Sequence, residues 1–178
     1  MEQVKKWIVP FGVILAVLLG GFSLWKSSSA HNVAYVRMEE LYNSFVMKQQ
    51  LEKKLKDTEQ ARTMMLDSAR IKLQLMNNDL KQLPKADTAS LLRFDQQQKA
   101  YFSMKQQFDE DNEMLAKQYT DQIWTQINQY TKDFGKEKGY DFILGASGDG
   151  VLMYADEGKD ITEQMKTYIN EKYQGKLK

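Results

Sequence analysis

The chain has 178 residues, 42% of them hydrophobic, no cysteine, one histidine and a formal net charge of +1. That composition excludes a disulfide scaffold and thiolate metal sites. Its near neutrality argues against nucleic acid as a partner.

The first 30 residues differ from the rest. Trp7–Trp25 is a run of 19 residues without charge, framed by tryptophans. At about 1.5 Å per residue it would span roughly 28 Å, close to the thickness of a bilayer's hydrocarbon core. Two readings stay open. Length and the flanking Trp25 suit an uncleaved anchor, whereas Ser28-Ser29-Ala30 suits the cleavage site of a signal peptide. Both place the remainder outside the cytoplasm. Lys5, Lys6, Lys26 and Glu2 lie in this segment, which leaves residues 31–178 with 22 basic and 23 acidic side chains. The chain therefore divides into an anchor or signal segment (1–30), a β-rich body with a final helix (31–38 and 139–178), and a helical arm (39–138).

Ser27–Ala30 reads as a spacer. His31–Met38, centred on Val33-Ala34-Tyr35-Val36, reads as a buried strand. From Glu39 the pattern becomes helical. Leu41, Phe45, Leu51, Leu55, Met65, Ala69, Met76, Leu80 and Leu83 keep an approximate 3-or-4 spacing, with lapses at Thr58, Arg62 and Lys72. Pro84 interrupts the helix, which puts the tip of a hairpin near residues 84–90. Asp87, Thr88 and Ser90 are candidate N-caps for the returning helix. Phe94, Tyr101, Phe108, Leu115, Tyr119, Ile123, Ile127, Tyr130 and Phe134 carry its seam, and Gly135 or Gly139 would end it. Each arm helix should run about 45–50 residues, or roughly 70 Å.

Tyr140–Leu144 and Val151–Ala155 read as strands joined by a glycine-rich hairpin, Gly145–Gly150. Asp160-Ile-Thr-Glu163 has capping-box spacing and opens a last helix, with Ile161, Met165, Tyr168 and Ile169 as its apolar face and Gly175 as its stop. Three strands and one short helix bury little by themselves, so the small β body should be completed by oligomerisation.

No catalytic, cofactor-binding or metal-binding set can be assembled. His31 lacks partners, the GASGDG loop lacks phosphate-loop spacing, and the paired acids lie on polar helical stretches. Met64, Leu66, Ile71, Leu75, Phe102, Met104 and Met114 fall off the assigned seam. They either contact a second molecule or mark a drifting seam. Residues 70–105 hold seven basic and three acidic side chains. A basic tip around Arg70, Lys81, Lys85 and Arg93 would suit anionic lipid or an acidic partner, or would merely solubilise the turn.

The order of these elements resembles the Skp/OmpH family of periplasmic chaperones over residues 31–174. The resemblance is carried by Val33-Ala34-Tyr35-Val36 with Phe45, Gly139-Tyr140-Asp141-Phe142-Ile143-Leu144, Val151-Leu152-Met153-Tyr154-Ala155 and Lys159-Asp160-Ile161-Thr162. It implies an α+β fold in which a long α-helical hairpin, a coiled-coil-like tentacle, stands on a small β body. It also implies a homotrimer that holds unfolded outer-membrane β-barrel proteins without ATP or cofactor. Met64, Met65, Leu75, Met76, Phe102, Met104 and Phe108 are then the expected client-binding residues of the arm. Val33, Tyr35, Val36, Phe142, Ile143, Leu144, Leu152 and Tyr154 are the expected oligomerisation residues. The expected location is the periplasm, with a tether to the inner membrane through residues 7–25 if that segment is retained. The alternative is a membrane-anchored coiled-coil spacer or adaptor for one envelope partner. Near neutrality departs from the basic character of many family members, which leaves only the tip for charge-driven capture.

Overall fold

The computed structural model describes residues 31–82 and 87–177. Among these, no helix is long and apolar enough to cross a membrane. The apolar run 7–25 lies outside them, as do Leu83, Pro84 and Lys85.

Strand β1, Val33–Arg37, alternates in burial, with Ala34 and Val36 inward. This is the two-residue period of a strand with one face on a core. Helix α1, Met38–Ser44, follows directly. The sequence pattern ran α1 into the arm as one helix, but the chain breaks at Phe45, whose backbone is extended (φ −74°, ψ 120°). The break is held from across the body. The Val46 N–H donates to Asn170 Oδ1 at 2.8 Å, and Asn170 Nδ2 donates to the Ser44 carbonyl at 3.1 Å. One amide thus satisfies backbone groups on both sides of the gap. Phe45, freed from helical geometry, is fully buried between Tyr130 and Tyr173.

Helix α2, Val46–Gln82, leaves the body, and α3, Thr88–Lys138, returns to it. At 37 and 51 residues they are less equal than expected. Asp87 caps α3, its side chain accepting from the Ser90 N–H. Gly139 ends it in the left-handed region (φ 72°), with Lys136 and Lys138 in the last turn where cations suit the helix dipole.

Strand β2, Phe142–Ala146, lies beside β1 and parallel to it, from Val33 opposite Phe142 to Arg37 opposite Ala146. A parallel pair needs a long crossover, and here the entire arm supplies it. The other edge of β1 meets the chain near Asp160, where the Ile161 N–H donates to the Tyr35 carbonyl at 3.0 Å. β1 is therefore covered on both sides and β2 on one.

Val151–Ala155 is not a strand. Gly148 (φ 78°) and Gly150 (φ 90°) turn the chain in the left-handed region, and the segment does not return along β2. The edge of β2 that β1 does not cover is left unpaired, and the expected hairpin is replaced by an open loop. A short 3₁₀ turn, Glu157–Lys159, leads to α4, Thr162–Tyr173. The expected capping box is also different. Asp160 accepts from the Thr162 N–H and hydroxyl, while Glu163 pairs with Lys166 at 2.7 Å instead of reaching back.

The core sits where these pieces meet. Leu41, Phe45, Ile123, Ile127, Phe134, Ile161, Met165 and Ile169 are at most 4% exposed. The apolar face expected of the last helix is the face buried. Phe134 stacks on Tyr140 and meets the edge of Tyr168, whose hydroxyl donates to Glu137 at 2.7 Å.

Candidate functional site: the arm and the open edge of the body

The arm is a two-helix layer with one interface. Half-buried positions on α2 run through Leu51, Leu55, Thr58, Arg62, Leu66, Ala69, Leu73, Met76 and Leu80. This is an unbroken 3-or-4 spacing, so Thr58 and Arg62 are members of the seam and not lapses in it. The seam passes through Leu66, and Met65 is exposed (58%), the reverse of the sequence assignment. On α3 it includes Phe94, Tyr101, Met104, Phe108, Leu115 and Tyr119.

This placement divides the expected client-binding residues. Met76, Met104 and Phe108 are half-buried in the seam, where they hold the arm together. Met64 (64%), Met65, Leu75 (60%) and Phe102 (58%) face outward. Ile71, Leu91, Leu92 and Met114 are exposed as well. Met64, Ile71 and Leu75 line up on α2. At about 100° per residue they lie roughly opposite the Arg62–Leu66–Ala69–Leu73 seam. Phe102 and Met114 are about 120° apart on α3, so the outward residues do not form one continuous patch on a single arm.

The basic tip is thinner than the sequence suggests. Arg70 is about 18 Å from the end of α2 and pairs with Asp67 at 2.9 Å. Lys99 and Lys105 are paired at 2.7 Å with Asp95 and Asp109. Lys81 and Arg93 remain beside the tip, where Arg93 lines a small groove with Met76, Asp79, Leu80 and Ser90. Lys85 lies outside the described residues.

On the body, Val36 is 1% exposed and belongs to this chain's own core. Val33, Tyr35, Ile143 and Leu152 are half-buried. Phe142 and Leu144 are exposed, as are Val151 (80%), Met153 (87%) and Tyr154 (86%). Beside the open edge of β2 is a groove of about 400 Å³ lined by Met38, Leu41, Trp124, Ile143 and Gly145. Tyr42 stacks on Trp124 at 5.0 Å next to it. No group of acidic or histidine side chains able to hold a metal ion occurs among the described residues.

Two contributors were missed in the sequence. Asn170, which splices the α1–α2 break, gives no local signal. Arg62 does, because it falls on the 3-or-4 spacing where an apolar residue belongs.

A long helical hairpin raised on a small parallel β body is the architecture of the OmpH-like fold. The chain belongs to the outer membrane protein (OmpH-like) family, which matches residues 32–169. Its fold is similar to a crystal structure from Caulobacter crescentus, named for a proposed role as an OmpH-like outer membrane chaperone. The two share 15% identity with a TM-score of 0.68, over 81% of this chain and 86% of that one. No curated protein matches the chain.

Proposed function

We propose that this protein is an ATP-independent, non-enzymatic holdase of the periplasm that binds unfolded outer-membrane β-barrel proteins and prevents their aggregation. The observation that carries the reading is the excess of outward apolar side chains on an arm that has one interface among the described residues. Among the described residues, Met64, Met65, Ile71, Leu75 and Phe102 are each more than half exposed. Unfolded barrel proteins present unpaired strand edges and alternating apolar residues that aggregate in water. A sparse apolar surface on long helices can hold such chains through many weak contacts, and methionine adapts to varied partners.

The exposed Phe142, Leu144 and Tyr154 of the body, with the half-buried Leu152, support self-association as a homotrimer. Val33 and Tyr35 would contribute from β1, while Val36 serves the core within each chain. Three arms would then surround a common space, toward which the Met64–Ile71–Leu75 line of each could turn.

The test is light scattering of an unfolded outer-membrane barrel protein diluted from urea, with and without the purified protein. Suppression near one trimer per client, without nucleotide, is expected. Replacing Met64, Met65, Leu75 and Phe102 together by Gln should abolish most of the suppression while the assembly's mass is unchanged. Full suppression by that variant would remove the client-surface assignment. No suppression by the folded parent protein would refute the holdase reading and favour the anchored adaptor.

A further inference from the structure

Arg62 occupies a seam position, four residues after Thr58 and four before Leu66, and its side chain is only 21% exposed. It reaches across to α3. One guanidinium nitrogen donates to Asn112 Oδ1, the other lies 3.4 Å from Asp111 Oδ2, and the group sits over the Phe108 ring at 5.4 Å. This is a polar layer inside an otherwise largely apolar interface. Such a layer fixes register at a cost in stability. A half-buried pair of this kind gains less than an apolar filling of the same space, because desolvation offsets the attraction.

A further observation makes the side of the arm beyond this layer the looser one. Burial is lopsided. The fully buried residue of α2 is Met47, and those of α3 are Ile123, Ile127, Phe134 and Gly135. All lie on the body side of the Arg62 layer. Beyond it, the seam of the described residues is no more than half-buried.

We propose that Arg62, Phe108, Asp111 and Asn112 form a breakable polar layer that lets the distal half of the arm open while the basal half stays zipped to the body. The distal half carries Ile71, Leu75 and Phe102, with Met64 at its border. Opening would spread these residues and expose Met76 and Met104 from the seam. That use of the layer rests on the holdase reading, but the layer itself is tested without any client. Because the Arg62–Asp111 contact is ionic, opening should increase with salt.

The experiment is hydrogen exchange of the full chain, followed by mass spectrometry of its peptides at low and high ionic strength. In the parent protein, amides of residues 66–82 and 88–105 should exchange severalfold faster at high salt, and those of 41–47 and 123–134 should not change. Arg62→Leu should slow distal exchange severalfold and remove the salt response. Asp111→Asn, which keeps shape and hydrogen bonding but removes the charge, should leave distal exchange fast at both salt levels. Faster distal exchange in Arg62→Leu, or no change in either variant, would overturn the proposal. A salt response that survives both variants would belong to the surface pairs Lys99–Asp95 and Lys105–Asp109, and would overturn it equally.

Discussion

Single side chains join the sequence-distant parts of the body, and their loss should be measurable. Asn170 supplies partners to Val46 N–H and Ser44 carbonyl at once. Asn170→Ala leaves both part-buried groups to find other partners, and should lower unfolding stability by about 1–3 kcal/mol in denaturant titration. Asp160 accepts from Thr162 and lies 3.1 Å from the Arg37 guanidinium. Burial works to raise its pKa, but the Thr162 hydrogen bonds and Arg37 outweigh this and hold it below the usual carboxylate value. A lowered folded-state pKa gives stability that is present above the ordinary carboxylate range and lost as pH falls through it. Melting temperatures measured from neutral pH down into that acid range should therefore fall less steeply for Asp160→Asn, from a lower neutral value. Tyr168 behaves oppositely. Burial, with the Glu137 hydrogen bond and charge, pushes its hydroxyl well above the ordinary phenol value. The neutral form is the one favoured on folding, so its contribution is complete at neutral pH and lost as pH rises past about 10. Tyr168→Phe should cost about 1 kcal/mol at neutral pH and soften the alkaline fall.

At the scale of elements, the periodic and punctuated parts were legible and the long-range parts were not. Asp87 and Gly139 bound α3 because a cap acceptor and a left-handed glycine act through local geometry. The last helix buried the face its spacing announced. The break at Phe45 carried no glycine or proline, since its cause is an amide 125 residues away in sequence from that phenylalanine, a separation near that of the Val46–Asn170 bond itself (124). The strand expected at Val151–Ala155 had strand composition, but the left-handed turns at Gly148 and Gly150 carry it away from the open edge of β2. Of the outward residues assigned to clients, Met64, Leu75 and Phe102 were visible because they break the seam's spacing. Met65 and Leu66 were exchanged because a one-residue shift of a drifting seam turns the face by about 100°. The arm also makes a stability prediction. Met76→Ala and Phe108→Ala remove half-buried seam atoms and should loosen the hairpin, lowering its helical signal at moderate temperature. Met64→Ala should leave that signal within about 0.5 kcal/mol of the parent.

For the whole molecule, the question is what covers Val151, Met153, Tyr154 and the open edge of β2. A homotrimer would cover them, and sedimentation should then show one species of three times the chain mass. Tyr154→Lys with Leu144→Lys should shift it toward monomer, and a parent protein that stays monomeric at high concentration would refute the assembly. The parallel pairing of β1 with β2 has another consequence, for the order in which the chain folds. Asn32 and Asp141, at the start of that sheet, are bonded across 109 residues. A free loop of that length meets slowly, and parallel pairings are slow to form for that reason. Pairing of α2 with α3 shortens the search, because each turn joined along the arm carries the two ends of the loop closer together. The sheet is then expected to close after the arm, and arm substitutions that leave the final stability intact should still slow its appearance.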